Sequence, residues 1–197
     1  MDECGIETTL GSDPMKLKHM DSFLSLHYPI PLAADDVHPD LIETGWEGLP
    51  CVSLKPGGLS IINSRVLMED ELWILGDFSF KITREQAVEW RKEIRCRHVH
   101  LVIGNHDKNY EEQGIFESVQ NYKELKTPKG KVILFHYPIA DWNGKYHGSL
   151  HLHGHIHSTG EYNEKNVESG NRIYDVGVDA NDYYPVKLEE IMDKFGM

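Results

Sequence analysis

Glu71-Leu72-Trp73-Ile74-Leu75-Gly76-Asp77 decides the fold. An apolar run of strand length stops at a glycine and a carboxylate, which reads as a buried strand followed by a tight turn. The arrangement recurs three times downstream. His98 to Ile103 stops at Gly104-Asn105-His106-Asp107, Lys131 to Phe135 stops at His136, and Ser149 to His153 stops at Gly154-His155-Ile156-His157. Thr83-Arg84-Glu85-Gln86 has the form of a capping box, and the helix it opens places Ala87, Trp90 and Ile94 on one face. Val119 to Lys126 alternates weakly, and Thr127-Pro128-Lys129-Gly130 turns the chain into the next strand. Arg172 to Val178 is the expected last strand, and Pro185 is expected to open a C-terminal helix reaching Phe195. Strands and helices in this pattern predict an α/β domain. In layered α/β folds, ligands bind at the carboxyl ends of strands. The four polar clusters, each following a strand, are therefore expected to converge on one site.

The 197 residues suit a single domain with a real core. Residues 1–58 form its atypical front. They carry Pro14, Pro29, Pro31, Pro39, Pro50 and Pro56 with little periodicity, and read as loops with short elements. Residues 59–186 carry the motifs. No apolar run approaches the roughly 18–20 residues needed to cross a bilayer. The start Met1-Asp2-Glu3 lacks a secretory pattern. Cys4, Cys51 and Cys96 are odd in number and far apart, so the expected compartment is the reducing cytoplasm. The formal net charge of −12 argues against gripping long nucleic acid. It does not exclude a small phosphorylated substrate, because carboxylates that hold divalent cations present positive charge locally.

Of 12 histidines, six fall between His136 and His157, a density that points to metal. Divalent ions of hard or borderline character take carboxylate, imidazole and amide oxygen. Asp77 can bridge two ions, Asn105 offers an amide oxygen, and His136, His155 and His157 offer imidazoles. Each has an ordinary reading too. Gly-Asp after a strand is usually a turn, and a histidine ending a strand is usually a hydrogen-bonded core residue. The metal reading gains its weight from the ordered combination.

That combination resembles the calcineurin-like metallophosphoesterase superfamily. Ile74-Leu75-Gly76-Asp77-Phe78-Ser79, Phe135-His136-Tyr137-Pro138-Ile139, His151-Leu152-His153-Gly154-His155 and Asp175-Val176-Gly177-Val178-Asp179 are similar to its small bacterial and phage members. The resemblance implies a four-layer αββα sandwich of two mixed β-sheets flanked by helices. It implies two divalent metal ions, manganese first, with iron, zinc or magnesium as alternatives. Asp77 would bridge them; Asn105, His136 and His155 would complete one site, and His157 would belong to the other. His106 would contact the phosphate and protonate the leaving oxygen, with Asp107 orienting it. The implied reaction is hydrolysis of phosphomonoesters or phosphodiesters by metal-bound hydroxide.

The front departs from the family, whose first strand ends in Asp-x-His. Asp36-Val37-His38 has that form and would complete the His157 site, although Pro29 and Pro31 interrupt the strand it would need. The competing reading of Asp36 and His38 is ordinary turn residues. Two alternatives to the phosphoesterase stay open on sequence: a degenerate member that binds metal or a partner without turnover, and a nuclease acting on nucleotides or short single strands.

Overall fold

The computed structural model describes residues 21–24, 56–79, 82–107, 110 and 114–197. It is an α/β arrangement of two mixed sheets with helices, compatible with a sandwich. Chain order is β1 (Asp21–Leu24), α1 (Pro56–Arg65), β2 (Glu71–Ile74), α2 (Arg84–Glu93), β3 (His98–Val102), β4 (Ser118–Gln120), β5 (Tyr122–Thr127), β6 (Gly130–Phe135), β7 (Leu150–His153), α3 (Gly160–Ser169), β8 (Ile173–Asp175), β9 (Val186–Lys187) and α4 (Leu188–Lys194). The first sheet has the order β4-β3-β2-β1-β9, and the second β5-β6-β7-β8. β1 to β4 run parallel and β9 antiparallel to β1. In the second sheet β6, β7 and β8 run parallel and β5 antiparallel.

Alternation along the strands divides the core. Leu72, Ile74, Val99 and Leu101 face outward from the first sheet onto Leu59 and Ile62 of α1, Val66 just after it, and Ala87 of α2. Trp73 and Val102 on the other face, with Leu75 just beyond β2, meet Val132, Leu134, Leu150, Leu152 and Tyr174 of the second sheet. Leu188, Ile191 and Met192 of α4 join this shared core. Burial at roughly 25 cal/mol per Å² of apolar surface makes this the interaction that holds the sheets together.

The expected capping box is present: Thr83 Oγ1 accepts from Gln86 N, and Gln86 Oε1 accepts from Thr83 N. The weak alternation of 119–126 is in fact two strands. The chain leaves the first sheet after Gln120 and enters the second at Tyr122. Pro185 does not open the last helix. It precedes the short strand β9, and α4 begins at Leu188 with Lys187 as its N-cap. Proline supplies no N–H to a ladder and suits the residue before a short edge strand as well as a helix start. Among the described residues, no helix is long and apolar enough to cross a membrane.

The outward face of the second sheet accounts for two of the clustered histidines. His151 and His153 are both fully buried. His151 packs on Trp142, and His153 packs on Tyr162 of α3. Both His151 nitrogens face carbonyl oxygens, of Ile133 at 3.3 Å and Tyr137 at 3.2 Å. A neutral ring can donate to only one of them. Burial, reinforced by the neighbouring His153, pushes His151 from 6.5 down to about 4. The folded-state value lies below the unfolded one, so the unfolded chain takes up its proton first as pH falls. Stability present above pH 6.5 is then lost as pH falls toward 4, by up to roughly 3 kcal/mol for this group. In urea unfolding at a series of pH values, His151→Gln should flatten this loss relative to wild type. Equal slopes in the two proteins would contradict it.

Candidate metal centre

The candidate residues follow four strand ends, two from each sheet: Asp77 follows β2, Asn105 and His106 follow β3, His136 follows β6, and His155 and His157 follow β7. One ligand atom each from Asp77, His136 and His155 lie within 4.8 Å of one another. Asp77 and His136 are buried and His155 half-buried. A group of this chemistry could hold a metal ion.

The turns that bring these side chains together are strained and tight. Gly76 and Asp77 have φ of 93° and 56°, and His155 and His157 have φ of 73° and 49°. The left-handed region costs an L-residue roughly 1–2 kcal/mol, and such conformations concentrate at functional sites. A Cβ at Gly76 would lie 2.1 Å from His136 Nδ1, and one at Gly104 would lie 2.3 Å from Asp77 Oδ1. Glycine at both positions lets the two sheets' loops close on one point.

His136 is the informative residue. Its Nδ1 lies 2.9 Å from the carbonyl oxygen of Leu75, which can only accept, so Nδ1 carries the proton. In the neutral ring the Nε2 lone pair then points at Asn105 Oδ1, 2.9 Å away, and Asp77 Oδ2, 3.5 Å away. Three electron-rich atoms face one another, two of them on buried side chains and the Asn105 oxygen on an exposed one. A cation among them turns that repulsion into coordination, and the backbone bond at Nδ1 is the outer support that metal-binding imidazoles use. The donor set of one carboxylate, one amide oxygen and two imidazoles fits manganese, iron or zinc.

Asp107 acts on backbone. Its Oδ2 accepts from Asp77 N and Gly104 N, each at 2.8 Å, and its Oδ1 accepts from Ser79 N at 3.2 Å. Asp77 Oδ1 in turn accepts from His106 N at 2.9 Å. These bonds lace the β2 and β3 loops together. Burial pushes the Asp107 carboxyl up to about 7, with the Asp77 carboxylate adding to the rise and the three N–H groups opposing it. His106 is exposed. His157 is also exposed, and its Nδ1 lies 2.9 Å from Asp179 Oδ2. Asp36 and His38 lie outside the described residues.

The sequence reading gave no role to Tyr137, Asp175 or Asp179. The Tyr137 ring stands edge-on to His136 and His155, with centroids 4.8 and 4.5 Å away. Asp175 ends β8 as Asp77 follows β2, a fifth apolar run closed by a carboxylate, and that was the available signal.

No protein-family model and no curated protein matches the chain. A solved structure does: a protein of unknown function from Aquifex aeolicus, at TM-score 0.60 and 22% identity, over 89% of this chain and 98% of that one. The two chains share a fold. A Vps29 single mutant from Entamoeba histolytica aligns at TM-score 0.38 and 15% identity, over 71% of this chain and 66% of that one. That overlap is too loose to bear on function.

Gly104→Ala should weaken metal binding by more than about tenfold and cost roughly 1–3 kcal/mol of stability through overpacking. Gly170→Ala, where a Cβ meets nothing within 4 Å, should leave metal binding unchanged. Calorimetric titration with manganese compares the two. Equal affinities would show that the close approach at Gly104 does not shape the site.

Proposed function

We propose that the chain is a metal-dependent phosphoesterase of the calcineurin-like type, with a four-layer αββα sandwich carrying a dinuclear centre. The convergence of Asp77, His136 and His155 donor atoms within 4.8 Å carries the reading. The Asn105 oxygen beside His136 supports it. Asp77, Asn105, His136 and His155 would hold one ion. Asp77 and His157 would begin the second site, with Asp36 and His38 as its remaining candidates. The ions, when bound, supply an activated water and polarise the phosphoryl group.

The chain's own groups do the rest. The Asp77 carboxylate is aimed by the His106 N–H, and its backbone is held by Asp107. Buried His136 presents Nε2 in a single tautomer because Leu75 fixes the proton on Nδ1. His106 would meet the phosphate and give a proton to the departing oxygen; its exposure and its backbone bond to Asp77 support that role. Metal storage alone has no use for an exposed histidine there, which favours turnover over simple binding. The substrate class is a small phosphorylated molecule in the cytoplasm, mono- or diester.

Excess chelator should abolish hydrolysis of an aryl phosphate, and manganese should restore it. His106→Ala should keep its metal and lose about 10²–10⁴-fold in turnover, with the smallest loss for the best leaving groups. Full turnover in chelator would overturn the metal mechanism. A uniform loss across a leaving-group series would overturn the acid role of His106.

A further inference from the structure

The Asp175-to-Asp179 segment grips the loop that carries His155 and His157. Asp175 is fully buried. Its Oδ2 accepts from Ser158 Oγ at 2.6 Å and Ser158 N at 3.3 Å, and its Oδ1 accepts from Gly177 N at 2.7 Å. The segment is itself pinned by two amides. Asn163 Nδ2 donates to Asp175 O, and Asn163 Oδ1 accepts from Asp175 N. Asn181 Nδ2 donates to the carbonyls of Asp175 and Gly177, and Asn181 Oδ1 accepts from the Tyr174 hydroxyl. From this fixed base, in the short 3-10 turn Val178–Ala180, Asp179 reaches His157 Nδ1 at 2.9 Å. The Asp179 side chain is 7% exposed and that of His157 38%.

We infer that Asp179 is the positioning residue for His157. Its carboxylate can only accept, so the neutral ring carries its proton on Nδ1 and its lone pair on Nε2. The ring is thereby oriented as an Nε2 donor before any ion arrives, as carboxylate–histidine pairs behind metal ligands are. Asp175 fixes the next residue, Ser158, so the left-handed turn at His157 is clamped on both its ring and its exit. This deepens the proposed function and rests on it where His157 is taken as a metal ligand. The tautomer part stands without it.

The closing experiment has two arms. In metal-free protein with ¹⁵N-labelled histidine, long-range proton–nitrogen correlation at a pH where imidazole is neutral reads the His157 tautomer. Wild type should be protonated at Nδ1. Asp179→Ala should raise the Nε2-protonated form several-fold, and Asp179→Asn, which keeps an acceptor of the same shape, should retain part of the wild-type tautomer. An unchanged tautomer in Asp179→Ala would overturn the inference. In the second arm, manganese titration of Asp179→Ala should show one site weakened about 10–100-fold and the other within about twofold. Equal weakening of both sites, or none, would overturn the link to the ion. If wild type took up no manganese at all, the proposed function would fall while the tautomer arm still decided the role of Asp179.

Discussion

The hydrogen bond between His136 Nδ1 and the Leu75 carbonyl joins the two sheets at the point where both end. Leu75 follows β2 in the first sheet, and His136 follows β6 in the second. The shared apolar core brings the sheets face to face but does not by itself fix how their carboxyl edges align. This bond does, and it also sets which nitrogen of the ring faces Asp77 and Asn105. The glycines follow from it. Gly76 passes so close to the imidazole that a methyl group there would overlap Nδ1, and Gly104 passes as close to Asp77. Asp107 then ties the two loops of the first sheet to each other. The centre is a consequence of how the sheets are joined.

Much of this was legible in the sequence, because each strand announces its end. An apolar run closed by glycine and a polar cluster marks β2, β3 and β7, and His136 closes β6. The Thr83–Gln86 capping box and the Pro128-Lys129 hairpin turn are local chemistry, and local chemistry is read well from sequence. The break at Asn121 was not legible. Whether two short runs share a sheet depends on partners far away in the chain. Strand β9 was hidden for a similar reason: two residues have no period, and Pro185 suits a helix start as well as a strand edge. Histidine density overstated the site. His151 and His153 alternate outward from β7 into a packed layer with Trp142 and Tyr162, away from Asp77. A two-residue alternation looks the same whether a face meets metal or protein.

The second ion of the proposed centre would draw on the edge of the first sheet. Within the first sheet, β1 lies beside β2 in parallel, with Leu24 opposite Ile74. The carboxyl end of β1 therefore stands at the edge from which Asp77 projects. Asp36 and His38 come well after that end, and the next histidine after Leu24 in sequence is His27. Under the proposed function, donors for a second ion would come from this side, since Asp77 and His157 alone would leave most of its coordination to water. An ion so held would exchange easily.

The most direct test of the central claim is anomalous diffraction from crystals grown with manganese. The account predicts a strong peak among Asp77, Asn105, His136 and His155, within normal coordination distance of His136 Nε2. A structure in which manganese is absent from that position, with His136 Nε2 protonated and bonded to Asn105 instead, would contradict it.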